Sequence, residues 1–224
     1  MAWEGLPDYS FAVSQKNFDH ARRLFESAAE TDCEVILAAG TCWEYRQKTG
    51  QVTEESPLGA RDPFVALKNA IHFYGAAIAH HYGIRFYWPR LFFVYGPGQR
   101  RTSLIPHIIR ALIRGENPKI RTPANRHDFI YVGDAARAIR SLIEARPSRT
   151  VYNIGSGRST AVADILAMAQ TQLALSGSRS ASMANHLPAG EDLVADITRI
   201  TGETGWRPLV QLEEGIHQTI RRHR

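Results

Sequence analysis

Apolar positions along this chain alternate between two rhythms. Phe18, Leu24, Phe25 and Ala28 recur at helical spacing and predict an amphipathic helix of about four turns. The short apolar run at 34–40, closed by Gly40, reads as a buried parallel strand. Residues 63–82 predict a second long helix, with Pro63 in its first turn, where a missing N–H is tolerated. The pattern returns to strand at 84–92, and Tyr95, Gly96, Pro97 and Gly98 form a turn cluster. Beyond it the same reading gives a helix at 104–113, a strand at 129–132, a helix at 134–145 and a strand at 151–154. Gly155, Ser156 and Gly157 then lead into a helix from 162 to about 173. Small polar residues at 176–182 predict a flexible loop, and two short helices are expected at 197–203 and 212–221. The alternation predicts an α/β fold in which helices flank a parallel sheet.

Composition narrows the classes. Of 224 residues, 44% are hydrophobic and 22% charged, the balance of a globular protein. No apolar run approaches the roughly 20 residues needed to span a bilayer, and no secretory pattern opens the chain, so a cytoplasmic protein without membrane contact is expected. Cys33 and Cys42 have neither metal-ligand nor disulfide-framework spacing, and the histidines lack acidic partners at metal spacing, so no metal is expected. The net charge is +5, with arginines gathered at 100, 101, 110, 114, 121 and 126 and again at 221, 222 and 224. No helix-turn-helix, zinc-finger or aromatic RNA-binding signature accompanies them. That favours a small phosphate-bearing partner over nucleic acid, and the terminal Arg221-Arg222-His223-Arg224 reads as a solvated helix end.

Seven segments carry more specific information. They are Ala39-Gly40-Thr41-Cys42-Trp43-Glu44-Tyr45, the Phe64/Lys68 pair, the run from Arg90 to Gly98, Ser103-Leu104-Ile105-Pro106, the run from His127 to Val132, the turn from Asn153 to Gly157, and Gly205-Trp206-Arg207-Pro208. In this order they resemble the extended short-chain dehydrogenase/reductase family of nucleotide-sugar epimerases, dehydratases and reductases. The resemblance implies a partial Rossmann-like parallel sheet flanked by helices, with a small C-terminal α/β substrate-binding lobe. Residues 1–98 would be a remnant of the dinucleotide domain. Residues 99–224 would be mainly the lobe, with about 127–145 returning to the sheet. NAD or NADP is the implied cofactor and a nucleotide-diphosphate sugar the implied partner.

The same resemblance assigns residues. Thr41, four before Tyr45, takes the place of the hydroxyl that binds the reacting sugar oxygen; the plain alternative is that it caps a loop. Lys68 would reach the nicotinamide ribose, and Leu91 joins it on the cofactor side. Phe64 stands where the family carries its catalytic tyrosine. Because i and i+4 residues neighbour each other, it shares a helix face with Lys68, yet it has no proton to exchange. Substrate contacts fall to Phe93 (where asparagine is usual), Ser103, Leu104, Arg126 and His127. His127 replaces an arginine and lacks its bidentate fork.

The family's opening Gly-x-x-Gly-x-x-Gly turn does not occur, so the chain reads as N-terminally truncated by on the order of 60 residues, two βαβ units. The glycines at 155 and 157 occupy the place of the family's substrate-lobe turn, not of a cofactor loop. Little or no redox turnover is therefore expected, with a non-catalytic nucleotide-sugar-binding or assembly protein as the alternative. A sheet edge near residues 1–4 and uncovered helix faces would invite self-association or poor solubility.

Overall fold

The computed structural model describes residues 3–173 and 190–223. The expected loop at 176–182 lies outside them, as do the first two residues of the strand expected near 1–4; Trp3 and Glu4 are in irregular chain. The central strand is β4 (Arg85–Leu91). On one side it pairs with β1 (Val35–Leu37) and β2 (Gly40–Thr41), on the other with β8 (Val151–Ile154), all parallel. The single strand expected at 34–40 is thus two pieces. Between them Ala38 still donates its N–H to Tyr87 O, but the Ala39 carbonyl turns away and accepts from Lys68.

Alternation along β4 sends Phe86 and Trp88 to one face and Tyr87 to the other. Against the first face pack α1 (Phe11–Ala29) and α2 (Pro63–Tyr82). The buried stripe of α1 runs through Ser14, Asn17, Ala21 and Phe25, whereas Leu24, expected inside, is at the surface. At Gly75 of α2 an added Cβ would lie 2.6 Å from Phe25 and 2.9 Å from Phe86, so the absence of a side chain lets the helix sit down on the sheet. Against the second face pack α4 (Val132–Ala145) and α6 (Thr198–Thr204), through Ala138, Leu142, Ile200 and Trp206.

A second layer holds the parallel pair β5 (Phe93–Tyr95) and β7 (Phe129–Tyr131). Beside it is a mixed sheet in the order β3 (Thr49–Val52), β10 (Asp192–Ala195), β6 (Arg126–His127), β9 (Thr160–Ala161). The helices α3 (Leu104–Ile113), α5 (Val162–Gln172) and α7 (Leu212–His223) bury Ile105, Ile109, Ile165 and Ile216 together. The chain crosses between layers repeatedly: β3, from its first quarter, joins the mixed sheet beside β10, and β8 pairs with β4. β6 lies in the mixed sheet, β7 pairs with β5, and α4 covers the main sheet.

Candidate functional site

Asp62 caps α2, its Oδ1 accepting the Val65 N–H at 2.8 Å, and Pro63 follows in the first turn. This start sets the register that buries both Phe64 and Lys68. Lys68 Nζ donates to Ala39 O at 2.7 Å. Its ammonium lies 5.0 Å from the centre of the Trp3 ring and 5.7 Å from that of Trp88. Burial lowers its pKa to about 8. The Phe64 ring packs among Trp3 at 4.7 Å, Tyr9 at 5.3 Å and Trp43 at 6.0 Å, all at steep angles.

Thr41 heads a short 3-10 turn, Cys42–Glu44. Its Oγ accepts the Trp43 N–H at 3.4 Å, while its own N–H donates to Glu44 Oε1 at 2.8 Å. The capping role is realised, and the hydroxyl proton remains uncommitted among the described residues. Leu91 lies opposite Thr41 in the strand register, half-buried at the end of β4.

Beneath these residues runs a polar network that reading the sequence did not anticipate. Arg90 Nε donates to the fully buried Glu44 at 2.8 Å, and Trp88 Nε1 to the same carboxylate at 3.0 Å. Arg90 Nη1 donates to Tyr45 Oη at 3.1 Å, and the Tyr45 hydroxyl to Asn153 Oδ1 at 2.5 Å. Asn153 in turn donates its backbone N–H to Glu54 and its side-chain amide to Val52 O. At Gly40 an added Cβ would meet Trp88 Nε1 at 2.4 Å and Glu44 Oε1 at 2.7 Å, so glycine there admits the network. The signal was present: Arg90 is a charge inside the otherwise apolar run of β4, and such a charge needs a buried partner.

Burial pushes the Tyr45 pKa up to about 12, so it is not poised as an acid near neutrality. The Tyr74 hydroxyl, on the same helix as Lys68, donates to Glu26.

Phe93, Ser103, Leu104 and His127 come together around one cavity of about 330 Å³, which Tyr95 and Gln99 also line. The Phe93 and His127 rings stack at 4.0 Å. Burial lowers the His127 pKa, and its Nδ1 is buried with no partner among the described residues. Arg126 is held elsewhere: Nε donates to Ser159 Oγ at 2.7 Å, Nη2 to Ser159 O at 3.0 Å, and Asp192 lies 3.8 Å away. A very small cleft lined by Trp43, Arg61, Phe93 and His127 lies beside this cavity, sharing Phe93 and His127 with it.

The glycine turn at 155–157 is also spoken for. Buried Asp128 accepts from the N–H groups of Ser156, Gly157 and Ala195 and from the Ser156 hydroxyl. A carboxylate already occupies the donors that a phosphate would use. Among the described residues no cluster of His, Cys, Asp or Glu is placed to hold a metal ion, and no helix is long and apolar enough to cross a membrane.

Comparison with known proteins places these features in context. The model of the NAD dependent epimerase/dehydratase family matches residues 8–155. CDP-abequose synthase of Salmonella typhimurium is 29% identical over 168 residues, 71% of this chain and 56% of that protein. A dTDP-glucose 4,6-dehydratase of Xanthomonas campestris is 26% identical, covering 97% of this chain and 62% of its own length. Among solved structures, TunA, a NAD-dependent NDP-hexosamine 5,6-dehydratase involved in tunicamycin biosynthesis, superposes with a TM-score of 0.80. It is 26% identical over 100% of this chain and 75% of that one. The chain therefore spans between half and two thirds of the length of these curated relatives.

Proposed function

Because this chain belongs to the NAD dependent epimerase/dehydratase family, we propose that it binds a nucleotide-diphosphate sugar and has weak or no redox turnover of its own. The cavity of Phe93, Ser103, Leu104 and His127 is the binding element of this reading. The Leu104 backbone would meet the base, and the stacked Phe93–His127 pair would form an apolar wall. Thr41 would orient the sugar through its uncommitted hydroxyl. Phe64 carries the catalytic half of the proposal, since a phenyl ring offers no proton for general acid or base work.

NAD or NADP would supply hydride transfer when bound, with Lys68 and Leu91 on its side of the site. The residues as folded here do not fit that role. Lys68 is committed to Ala39 O and lies beneath Trp3, so a ribose could reach it only if Trp3 moved.

Calorimetric titration with UDP-, dTDP- and CDP-sugars and, separately, with NAD(H) and NADP(H) tests the reading. Sugar-nucleotide binding without turnover supports it. A steady rate with added NAD(P) that is lost in Lys68→Ala overturns it. Phe64→Tyr should not restore a rate, because Trp3 still covers the lysine. The covered Lys68 also favours the second reading, a purely non-catalytic binding or assembly protein. That version expects no NAD(H) binding even in Trp3→Ala.

A further inference from the structure

The arginines singled out in the sequence do not converge on the cavity just described. Arg101, Arg110, Arg114, Arg222 and His223 instead line a separate cavity of about 540 Å³ between α3, the 98–101 loop and the end of α7. It touches the first cavity only through Gln99, which lines both. Arg114 is paired, its Nε 2.7 Å from Glu116. Among the described residues no carboxylate lies within ion-pair distance of Arg101, Arg110 or Arg222. His223 Nε2 is buried with no partner among the described residues, and burial, then Arg110, then Arg101 lower its pKa.

The bland account is that basic residues sit at helix C-termini to complement the peptide dipoles. Two such ends meet here, α3 and α7. Each carries the equivalent of about half a negative charge, so together they balance about one cation. Three unpaired arginines exceed that. Positive charges gathered around a concave space, with no counter-charge among the described residues, favour a polyanion.

We propose that this cavity is a binding site for a multiply charged phosphoanion, the di- or triphosphate portion of a small molecule. The arginines supply planar two-pronged donors and His223 a further N–H. The site does not depend on the nucleotide-sugar reading above, which uses other residues.

The test is calorimetric titration of the full chain with inorganic tripolyphosphate at low salt, together with NMR titration of the His223 imidazole. Binding should weaken at least about tenfold in the Arg110→Gln, Arg222→Gln double variant, given the usual strength of charge-assisted bonds. The His223 pKa should rise when tripolyphosphate is present. A nucleoside triphosphate binding more tightly than tripolyphosphate supports the site and makes a nucleotide its source; equal affinity supports it with the bare phosphate chain as ligand. Unchanged affinity in the double variant, sulfate binding as tightly, or a single-stranded oligonucleotide binding more tightly would each overturn the proposal. If the double variant no longer melts cooperatively, the His223 resonance of the unaltered chain decides, and no change there overturns it. A His127→Ala variant, expected to weaken sugar-nucleotide binding, should leave tripolyphosphate binding intact.

Discussion

Lys68 and His72 stand one turn apart on α2, both buried and both facing Trp88, and each makes stability depend on pH in its own window. For Lys68, burial moves the pKa from 10.5 to about 8. Between those values the unfolded chain holds a proton that the folded one has released, so folding gains as pH rises through this range. Below it both states are charged and the burial penalty is present in full. The stability of the wild type relative to Lys68→Met should therefore improve by up to about 3 kcal/mol between pH 7.5 and 10.5, measured by urea denaturation. His72 moves from 6.5 to about 4, through burial and then the nearby Arg90. Its contribution is lost as pH falls from 6.5 to 4, because only the unfolded state takes up the proton. His72→Phe keeps a ring against Trp88 and should flatten that acid limb; an equally steep loss in the variant would place its cause elsewhere. Neither shift was legible from residue type, since both depend on what α2 meets across the interface.

At the scale of elements, the Glu44–Arg90 pair ties the 3-10 turn to the central strand, and the links from Arg90 through Tyr45 to Asn153 carry the tie to β8. Arg90→Met leaves a fully buried carboxylate unpaired and should cost about 3–5 kcal/mol in chemical denaturation. Removing both charges, Glu44→Leu with Arg90→Met, should recover part of that loss; a double variant as unstable as the single one contradicts this account. The bounds of α2 were readable because Asp62, Pro63 and the left-handed Gly83 punctuate it. β3 and β10 escaped reading for a different reason. Three of the four β3 residues are exposed, so no alternating pattern marks it, and its partner lies some 140 residues further along. Arg126 was legible as a charge beside His127. Its capture by Ser159 depends on the packing of β6 against β9.

Across the whole molecule, the main sheet ends at β1 with no further strand beside it among the described residues. The helices α1 and α2 expose Phe11, Leu24, Phe73 and Tyr82 by between 51% and 65%. An open sheet edge and scattered large apolar groups on two packed helices favour association. Sedimentation velocity at micromolar concentration should show dimers or larger species, and Leu24→Glu combined with Phe73→Glu should shift them toward monomer. A wild-type chain that sediments only as a monomer removes this expectation.

Two of the chain's crossings, β3 into the mixed sheet and β8 back to β4, stitch the main and mixed sheets together like laces through opposite eyelets. A nick in the loop after Gly98 would leave each fragment short of a strand that the other owns. Separately expressed, the fragments should stay unstructured; mixed, they should click into one cooperatively melting unit. Graft designs that transplant the mixed sheet and its helices alone will need both laces.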